Sequence, residues 1–566
     1  MKSLFNYFVY FEYLVGKKIY LLVIIAFTTT LMEGLGISIV LPLLSLDNLN
    51  NLTDDSVITT YLAKLFSYLV ITPSFISIIT LIIVVFLLKF ILQSLFDVLN
   101  SYIFADLEKK YKIYHVQSCN KMTYSYYTKS KPGYYNNLVT TVPGQIISAF
   151  KKYVATIIMI LNIIIFTTFS LIINYKLTFI LIVLGILIFL SHTRLRKSIT
   201  KMSYKSIILN GEIQDIFLQF FSNYKYLKST NTSKKVLKHL YPLLTKSKSL
   251  NFIIQSVISV TSSLFQFLNV LIVVLVITYL YLEQGQSIIM MIVPIALINR
   301  SFGSILSLQS EWQTFLSRSG SIAISKEAIS NIKQNSETTN DLKLNKFKDQ
   351  INFIDVSYKI DDNIIFSNIN LTIKKNDCVG IVGPSGCGKT TLVDLIIGLI
   401  LPSKGTIQID DIPYSIINIS DLRSKISYVT QDPCIFGDSI INNITMWDNE
   451  VDSDKISNAI NYSQLSYINN NPDKFDQIIA SGGSTLSGGQ KQRISIAREL
   501  YRDTSIIIFD EATSSLDYRT KNRIKEMINT FIGNKTILII SHVIDDLNIC
   551  NKIIEIDNGK INTITT

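Results

Sequence analysis

Six stretches, roughly 20–44, 75–96, 153–173, 177–195, 253–281 and 288–312, are long and apolar enough to cross a bilayer, which takes about 20 such residues. Backbone groups inside hydrocarbon must be satisfied within their own segment, so each span is expected to be a helix. Buried helices of a soluble protein do not explain apolar runs of this number and length. The loops between them alternate in character. Residues 45–74 carry Asp47, Asp54 and Asp55 against Lys64, whereas 97–152 and 196–252 are dense in Lys and Arg. The positive-inside rule then places both long basic loops and both termini in the cytosol. It also accounts for the formal charge of +11 without invoking nucleic acid. Charged residues make up 17% of the chain, below the usual quarter of soluble proteins. Met1 to Lys18 is aromatic and mixed in charge, with no small-residue cleavage site, so the first span is expected to stay as an anchor. Cys119, Cys378, Cys387, Cys434 and Cys550 lack metal-ligand spacing, and all fall in segments expected to face the reducing cytosol.

Helical periodicity continues past the second span through Asp97–Gln117 and again through Ser203–Phe220. Such helices read as arms reaching out of the bilayer. Lys131-Pro132-Gly133 and the stretch Gln214–Tyr226 are candidate turns touching a cytosolic engine, with plain surface loops the equal alternative. Residues 330–345 are polar and poor in apolar side chains, which makes them the expected linker. The domains are therefore 1–329, helical and membrane-spanning, and 346–566. No repeat of 20–50 residues is visible, which predicts one membrane half and one motor half.

The second domain carries its chemistry in a fixed order. Val379–Val382 reads as a buried strand, followed by Gly383-Pro384-Ser385-Gly386-Cys387-Gly388-Lys389-Thr390 and a helix from Thr391. Strand, glycine loop and helix form the context in which this pattern binds phosphate rather than merely turning the chain. The glycines let N–H groups approach phosphate oxygens at a helix N-terminus that already favours anions. Lys389 is placed to bridge the outer phosphates and the Thr390 hydroxyl to ligate Mg²⁺. Ile506–Glu511 is a second buried strand ending in two acids. Asp510 suits a Mg²⁺ partner, and Glu511 suits a general base that polarises the attacking water. His542 follows the strand Ile537–Ile540, where an imidazole can meet a γ-phosphate; a structural histidine is the alternative. Gln431, after Ser427–Thr430, has an amide that can reach Mg²⁺ or water. Leu486-Ser487-Gly488-Gly489-Gln490 is the most specific element of the set.

Together these residues resemble an ABC transporter nucleotide-binding domain, and six spans followed by one such domain resemble a half-transporter of the exporter class. The fold implied is a polytopic α-helical membrane domain with long cytosolic extensions, then an α/β P-loop ATPase domain. In the resemblance 383–390 is Walker A, Gln431 the Q-loop, 486–490 the signature, and 506–510 with Glu511 Walker B. Ser514-Ser515-Leu516-Asp517 is the D-loop and His542 the switch histidine. It implies ATP and Mg²⁺ as cofactors, and a homodimer closing head to tail, Walker A of one subunit facing Ser487, Gly488 and Gly489 of the other. Both sites would be competent, because Glu511 and the signature are intact. It further implies a multi-pass protein of the bacterial inner membrane, its motor in the cytosol.

Two positions depart from that family. The adenine-stacking aromatic falls on Ile360, so either Tyr358 substitutes after a local shift or base stacking is weak. An acid common before the signature is Ser481 here. Cys387 within the phosphate loop predicts sensitivity to thiol reagents.

Glu33, Lys89 and Arg300 lie deep within spans, where an uncompensated charge costs roughly 2.5–3.5 kcal/mol on insertion scales. Either the two cations line a cavity for an anionic headgroup, or Glu33 pairs with one of them structurally. Met32-Glu33-Gly34 with Ile37–Pro42, Lys89, and Arg300 after Ala296-Leu297-Ile298 resembles the exporter subgroup that includes lipid-linked oligosaccharide flippases. An amphipathic or lipid-linked substrate is thus expected. A peptide or microcin-type exporter has the same layout; with no cysteine-protease domain expected before the first span, any peptide cargo would have to be processed elsewhere. An ATP-gated channel or regulatory ATPase would show degenerate catalytic residues, which this chain does not.

Overall fold

The computed structural model describes residues 2–40, 74–173, 175, 178, 179, 182, 183, 193–284, 288–337, 340–465, 477–483, 485–513, 516–557 and 559–565. It divides into two units, Met1–Met122 with Thr128–Asn335, and Thr123–Tyr127 with Ser336–Thr566.

The first unit is helical: α1 (Lys2–Val15), α2 (Lys18–Ser38), α3 (Phe75–Asn120), α4 (Pro132–Ile173), α5 (Thr193–Ser222), α6 (Tyr224–Ser229), α7 (Ser233–Gln284), α8 (Ile288–Arg318) and α9 (Gly320–Gln334). Among the described residues four stretches are long and apolar enough to cross a membrane: Lys18–Ser38, Phe75–Asn120, Pro132–Ile172 and Ser233–Tyr279. They contain most of the predicted first, second, third and fifth spans. Helix α8 contains the sixth, 288–312. The fourth, 177–195, lies mostly outside the described residues; residues 45–73 of the loop 45–74, Asn174 and Lys176 of the next turn, and Gly285 lie outside them.

Helix α3 has 46 residues, or about 69 Å at 1.5 Å per residue, roughly twice the hydrocarbon thickness. The arm expected over Asp97–Gln117 is its second half. Its first half leaves Ile83, Val84, Leu87, Phe90 and Ile91 exposed. An apolar face of that kind suits lipid and not water. Beyond the span the helices are pinned by polar contacts. The fully buried His115 of α3 bonds the Leu138 carbonyl of α4 through Nδ1 (2.7 Å) and Ser325 Oγ of α9 through Nε2 (2.9 Å).

One expected turn is displaced. Lys131-Pro132-Gly133 opens α4 and packs within the first unit, where the Gly133 N–H donates to Asp215 Oδ1 at 3.3 Å. Thr123–Tyr127, containing a one-turn helix at Tyr124–Tyr127, is the piece of this loop that groups with the second unit. A Pro-Gly pair attracts a turn assignment, but Pro is equally at home in the first turn of a helix. Gln214–Tyr226 is mostly helical, in α5 and α6. Helix α9 runs into the predicted linker because Ile332 is buried and holds its last turn.

The second unit holds two sheets. The antiparallel one has order β2-β1-β4-β5, from β1 (Gln350–Ile360), β2 (Asn363–Lys374), β4 (Lys404–Ile409) and β5 (Ile412–Pro413). The other has order β10-β9-β3-β8-β7-β6, from β3 (Cys378–Val382), β6 (Ile426–Val429), β7 (Ile506–Asp510), β8 (Thr536–Ile540), β9 (Lys552–Asp557) and β10 (Lys560–Thr565). Its strands pair in parallel except β10 with β9. Every residue of β7 and β8 is buried, as expected of strands covered on both faces. Parallel pairing brings the C-terminal ends of β3, β6, β7 and β8 to one edge. Functional loops of α/β proteins gather at that edge.

Candidate functional site

At the end of β3 the chain enters the glycine loop and then helix α10 (Lys389–Ile397). Two glycines are sterically required. A Cβ on Gly383 would lie 2.6 Å from the Ile556 carbonyl oxygen, and Gly388 has φ +107° with Phe366 Cζ 2.9 Å from a would-be Cβ. Lys389 is buried and donates to the Gly383 and Pro384 carbonyls at 2.8 and 3.0 Å. Its ammonium thus sits inside the loop it is expected to serve. Pro384, Ser385, Gly386 and Thr390 are exposed or half-buried, as are Cys387 and Thr391. The result is a cradle of N–H groups at a helix start, shaped for an anion of phosphate size.

Beside it, β7 delivers Asp510 and then Glu511, whose φ is +48°. This left-handed step is fixed by the Glu511 N–H bonding the Ile540 carbonyl of β8 at 3.1 Å. The Glu511 carboxylate is held from two sides. Gln431 Nε2 donates to Oε2 at 2.8 Å, and His542 Nε2 lies 2.7 Å from Oε1. An ionised carboxylate only accepts, so the imidazole carries its proton on Nε2 in this contact. The structure therefore joins three residues that lie far apart in sequence and that the motifs mark one by one.

Asp510 is 6% exposed. Burial pushes its carboxyl pKa up, while the Tyr428 hydroxyl, donating to Oδ2 at 2.8 Å, works the other way. Tyr428 belongs to no motif in the sequence. The available signal is a hydroxyl-bearing aromatic on β6, whose register pairs Tyr428 with Ile508, two residues short of Asp510. Asp394 of α10 interacts with Asp510, and its carboxyl is pushed up to about 6 by burial first and by that neighbour second.

The signature forms the start of helix α11 (Gly488–Tyr501). Ser487 caps it: Gln490 N donates to Ser487 Oγ at 3.3 Å and Ser487 N to Gln490 Oε1 at 2.9 Å. This reciprocal box leaves Gly488 and Gly489 accessible at a helix N-terminus. The same helix holds the chain on both sides of Gln431. Gln492 donates to the Thr430 carbonyl (3.3 Å), and the Arg498 guanidinium to the carbonyls of Asn443 (2.7 Å) and Cys434 (2.8 Å). Ser514 and Ser515 of the predicted D-loop lie outside the described residues.

Tyr358 packs against the sheet core and lines a cavity of about 250 Å³ with residues 398–401, Tyr414 and Ile419. Burial raises its phenol pKa, and Asp394 adds to the effect. Ile360 is 49% exposed. In the helical unit, Glu33 joins both membrane cations: Lys89 Nζ is 2.9 Å from Oε2 and Arg300 Nη2 is 3.0 Å from Oε1. Of the two alternatives read from the sequence, the structure shows the pairing, and with both cations at once. Two cations on one carboxylate leave a net positive cluster, and the Arg300 side chain remains 59% exposed.

The ABC transporter family profile matches residues 366–514. The chain is similar to the ATP-dependent lipid A-core flippase of Desulfotalea psychrophila, 38% identical over 216 residues, 38% of this chain and 38% of that protein. It is also similar to the alpha-hemolysin translocation ATP-binding protein HlyB of Escherichia coli O157:H7, 40% identical over 36% of this chain and 29% of that one. The chain thus spans well under half the length of either relative. The heterocyst differentiation ATP-binding protein HepA of Nostoc matches 77% of this chain and 72% of its own length at 27% identity. Among solved structures, a bacterial Atm1-family ABC exporter with ATP bound superposes with a TM-score of 0.79, covering 97% of this chain and 94% of that one at 18% identity. Residues 366–514 are thus an ABC transporter ATP-binding region by sequence, in a chain whose fold matches that of a bacterial Atm1-family ABC exporter.

Proposed function

We propose that the chain is an ATP-hydrolysing exporter that works as a homodimer and moves an amphipathic, lipid-linked substrate outward from the cytoplasmic side of a bacterial inner membrane. The observation that carries the hydrolytic part is the Glu511 carboxylate held between Gln431 and His542. The residues perform distinct tasks in this reading. The cradle around Lys389 binds the phosphates. Glu511 takes the proton of the attacking water, which is worth roughly 10²–10⁴ in rate for a well-placed base. Each of its oxygens has one partner here and keeps a lone pair free to receive that proton. In this reading His542 also donates to the γ-phosphate.

The donors available to a metal are the Thr390 hydroxyl, the Gln431 amide and the Asp510 carboxylate, an all-oxygen set that suits Mg²⁺ held partly by nucleotide phosphates. Among the described residues no cluster of three His, Cys, Asp or Glu side chains is placed to hold a metal by itself. The ion would therefore share its coordination with the nucleotide. Bound there, Mg²⁺ would neutralise phosphate charge.

For the cargo, the net positive Glu33–Lys89–Arg300 cluster supports an anionic headgroup, and a lipid-linked oligosaccharide diphosphate has the matching charge. The similarity to HlyB keeps peptide export as the second reading. The test is ATPase activity in lipid nanodiscs with polyprenyl-diphosphate glycans or with peptides. Stimulation by the diphosphate lipids, lost on Arg300→Ala, is the expected result. Stimulation by peptides alone moves the cargo to the second reading. No hydrolysis by a folded, ATP-binding protein refutes the motor assignment.

A further inference from the structure

The loop carrying His542 is fastened by a group that none of the nucleotide motifs contains. Ser541 leaves β8 with its N–H still bonded to the Ile381 carbonyl at 3.2 Å. Its hydroxyl then accepts the Val543 N–H at 3.1 Å, closing a small turn around His542. The same hydroxyl donates to Asp546 Oδ2 at 3.2 Å. Asp546 sits in the 3-10 turn Ile544–Leu547, and its own N–H returns to the Val543 carbonyl at 3.1 Å.

The carboxylate of Asp546 is gripped from the opposite side. Lys521 Nζ lies 2.8 Å from Oδ2 and Lys525 Nζ 2.8 Å from Oδ1. The Asp546 side chain is only 11% exposed, and each lysine is about one quarter exposed. Both lysines belong to helix α12 (Tyr518–Phe531), four residues apart and so on one face. That helix is capped by Asp517, whose Oδ1 accepts the Thr520 N–H at 3.0 Å. Asp517 ends the segment 514–517.

Two ammonium groups bracketing one carboxylate define its position better than a single pair, which leaves a long side chain free to swing. Leu547, the next residue, is fully buried, and a Cβ added to Gly380 would meet it at 3.1 Å. The turn is therefore seated on the strand leading into the glycine loop and clamped to α12. Between these anchors the imidazole of His542 is presented to Glu511 at 2.7 Å.

We infer that Asp546 is a positioning residue for the hydrolytic step, setting where the His542 imidazole stands and tying that placement to helix α12 through Lys521 and Lys525. This rests on the proposed ATPase reading of the site. Misplacing a catalytic group by about 1 Å can cost on the order of 10²-fold in rate. A partial loosening of the turn should therefore slow turnover more than it weakens nucleotide binding, since Lys389 and its cradle lie outside the network.

The experiment measures kcat and KM for ATP on the full-length protein in nanodiscs, with thermal midpoints, for three variants. Asp546→Asn keeps the shape and removes the charge. Lys521→Met/Lys525→Met removes the clamp and leaves Asp546 in place. Lys521→Arg/Lys525→Arg keeps the charges. The expected result is a fall in kcat of roughly tenfold or more for the first two, with KM within about twofold, and near-normal kcat for the arginine pair. Unchanged kcat in both charge-removing variants overturns the inference. So does a matched loss of kcat, ATP affinity and thermal midpoint, which would make the network merely structural. Absence of hydrolysis in the unaltered protein fails the ATPase reading first and takes this inference with it.

Discussion

A carboxyl beside a second carboxyl in a half-buried place keeps its proton to higher pH, and Asp394 is such a group. Its folded pKa of about 6 stands above the unfolded value, which is about 3.9. Below the unfolded value both states are protonated and the stability this residue contributes is fully present. As pH rises through the folded value the native state must carry an ill-solvated charge, so the stability this residue contributes is lost between about pH 4 and pH 6. Asp394→Asn is therefore expected to raise the thermal midpoint at pH 8 by about 2–4 °C, with the gain shrinking toward pH 5. An equal gain at both pH values would show that charge is not the cause. Individual candidate site residues are legible in the sequence when their placement depends on covalent spacing, as for Lys389, Thr390, Asp510 and Glu511. Tyr428 and Asp546 are not. Their importance comes from hydrogen bonds to residues 82 and 5 positions away, and no local pattern marks either.

Helix α4 meets helix α5 where Gly133 lies against Asp215. A Cβ on Gly133 would stand 2.3 Å from the Asp215 Cα and N, which are backbone atoms and cannot step aside. Gly144, in the same helix, has nothing within 4 Å of a would-be Cβ. Gly133→Ala should therefore lower the thermal midpoint or the yield of monodisperse protein, by an overpacking penalty of about 1–3 kcal/mol. Gly144→Ala should be neutral or slightly stabilising, because Ala is the better helix former. Equal behaviour of the two variants in size-exclusion chromatography and melting would contradict this account of the contact. At this scale the helices α2, α3, α4 and α7 are readable because apolar runs set helix existence directly. Element ends are less so. Pro132-Gly133 reads as a turn, yet it starts a helix whose close packing on α5 is what requires the glycine.

For the whole molecule, the proposed head-to-tail homodimer has a consequence that single variants do not test. Each ATP site would take its glycine loop from one subunit and its signature from the other. Lys389→Ala and Ser487→Arg should each abolish hydrolysis alone. Co-assembled, the mixed dimer would hold one site with both lesions and one with neither, so activity should reappear, at up to about a quarter of normal if dimers form at random and the sites act independently. No recovery in a verified mixed dimer would argue for sites completed within one chain. The two-part organisation is visible in the sequence as an abrupt change of composition, since lipid-facing and water-facing chains obey different rules. The identity of the cargo is less legible, because Glu33, Lys89 and Arg300 acquire meaning only once three helices bring them together.

The left-handed backbone at Glu511 also shapes how the chain would evolve under different pressures. A side chain there strains the backbone by roughly 1–2 kcal/mol, and glycine or asparagine would relieve most of it. In a mutational library sorted for the amount of folded protein, Glu511→Gly and Glu511→Asn should outrank the native residue. Sorted for transport, the order should invert. Drift in a lineage released from the need to transport would therefore be expected to erase this glutamate early, leaving a well-folded protein that still holds nucleotide.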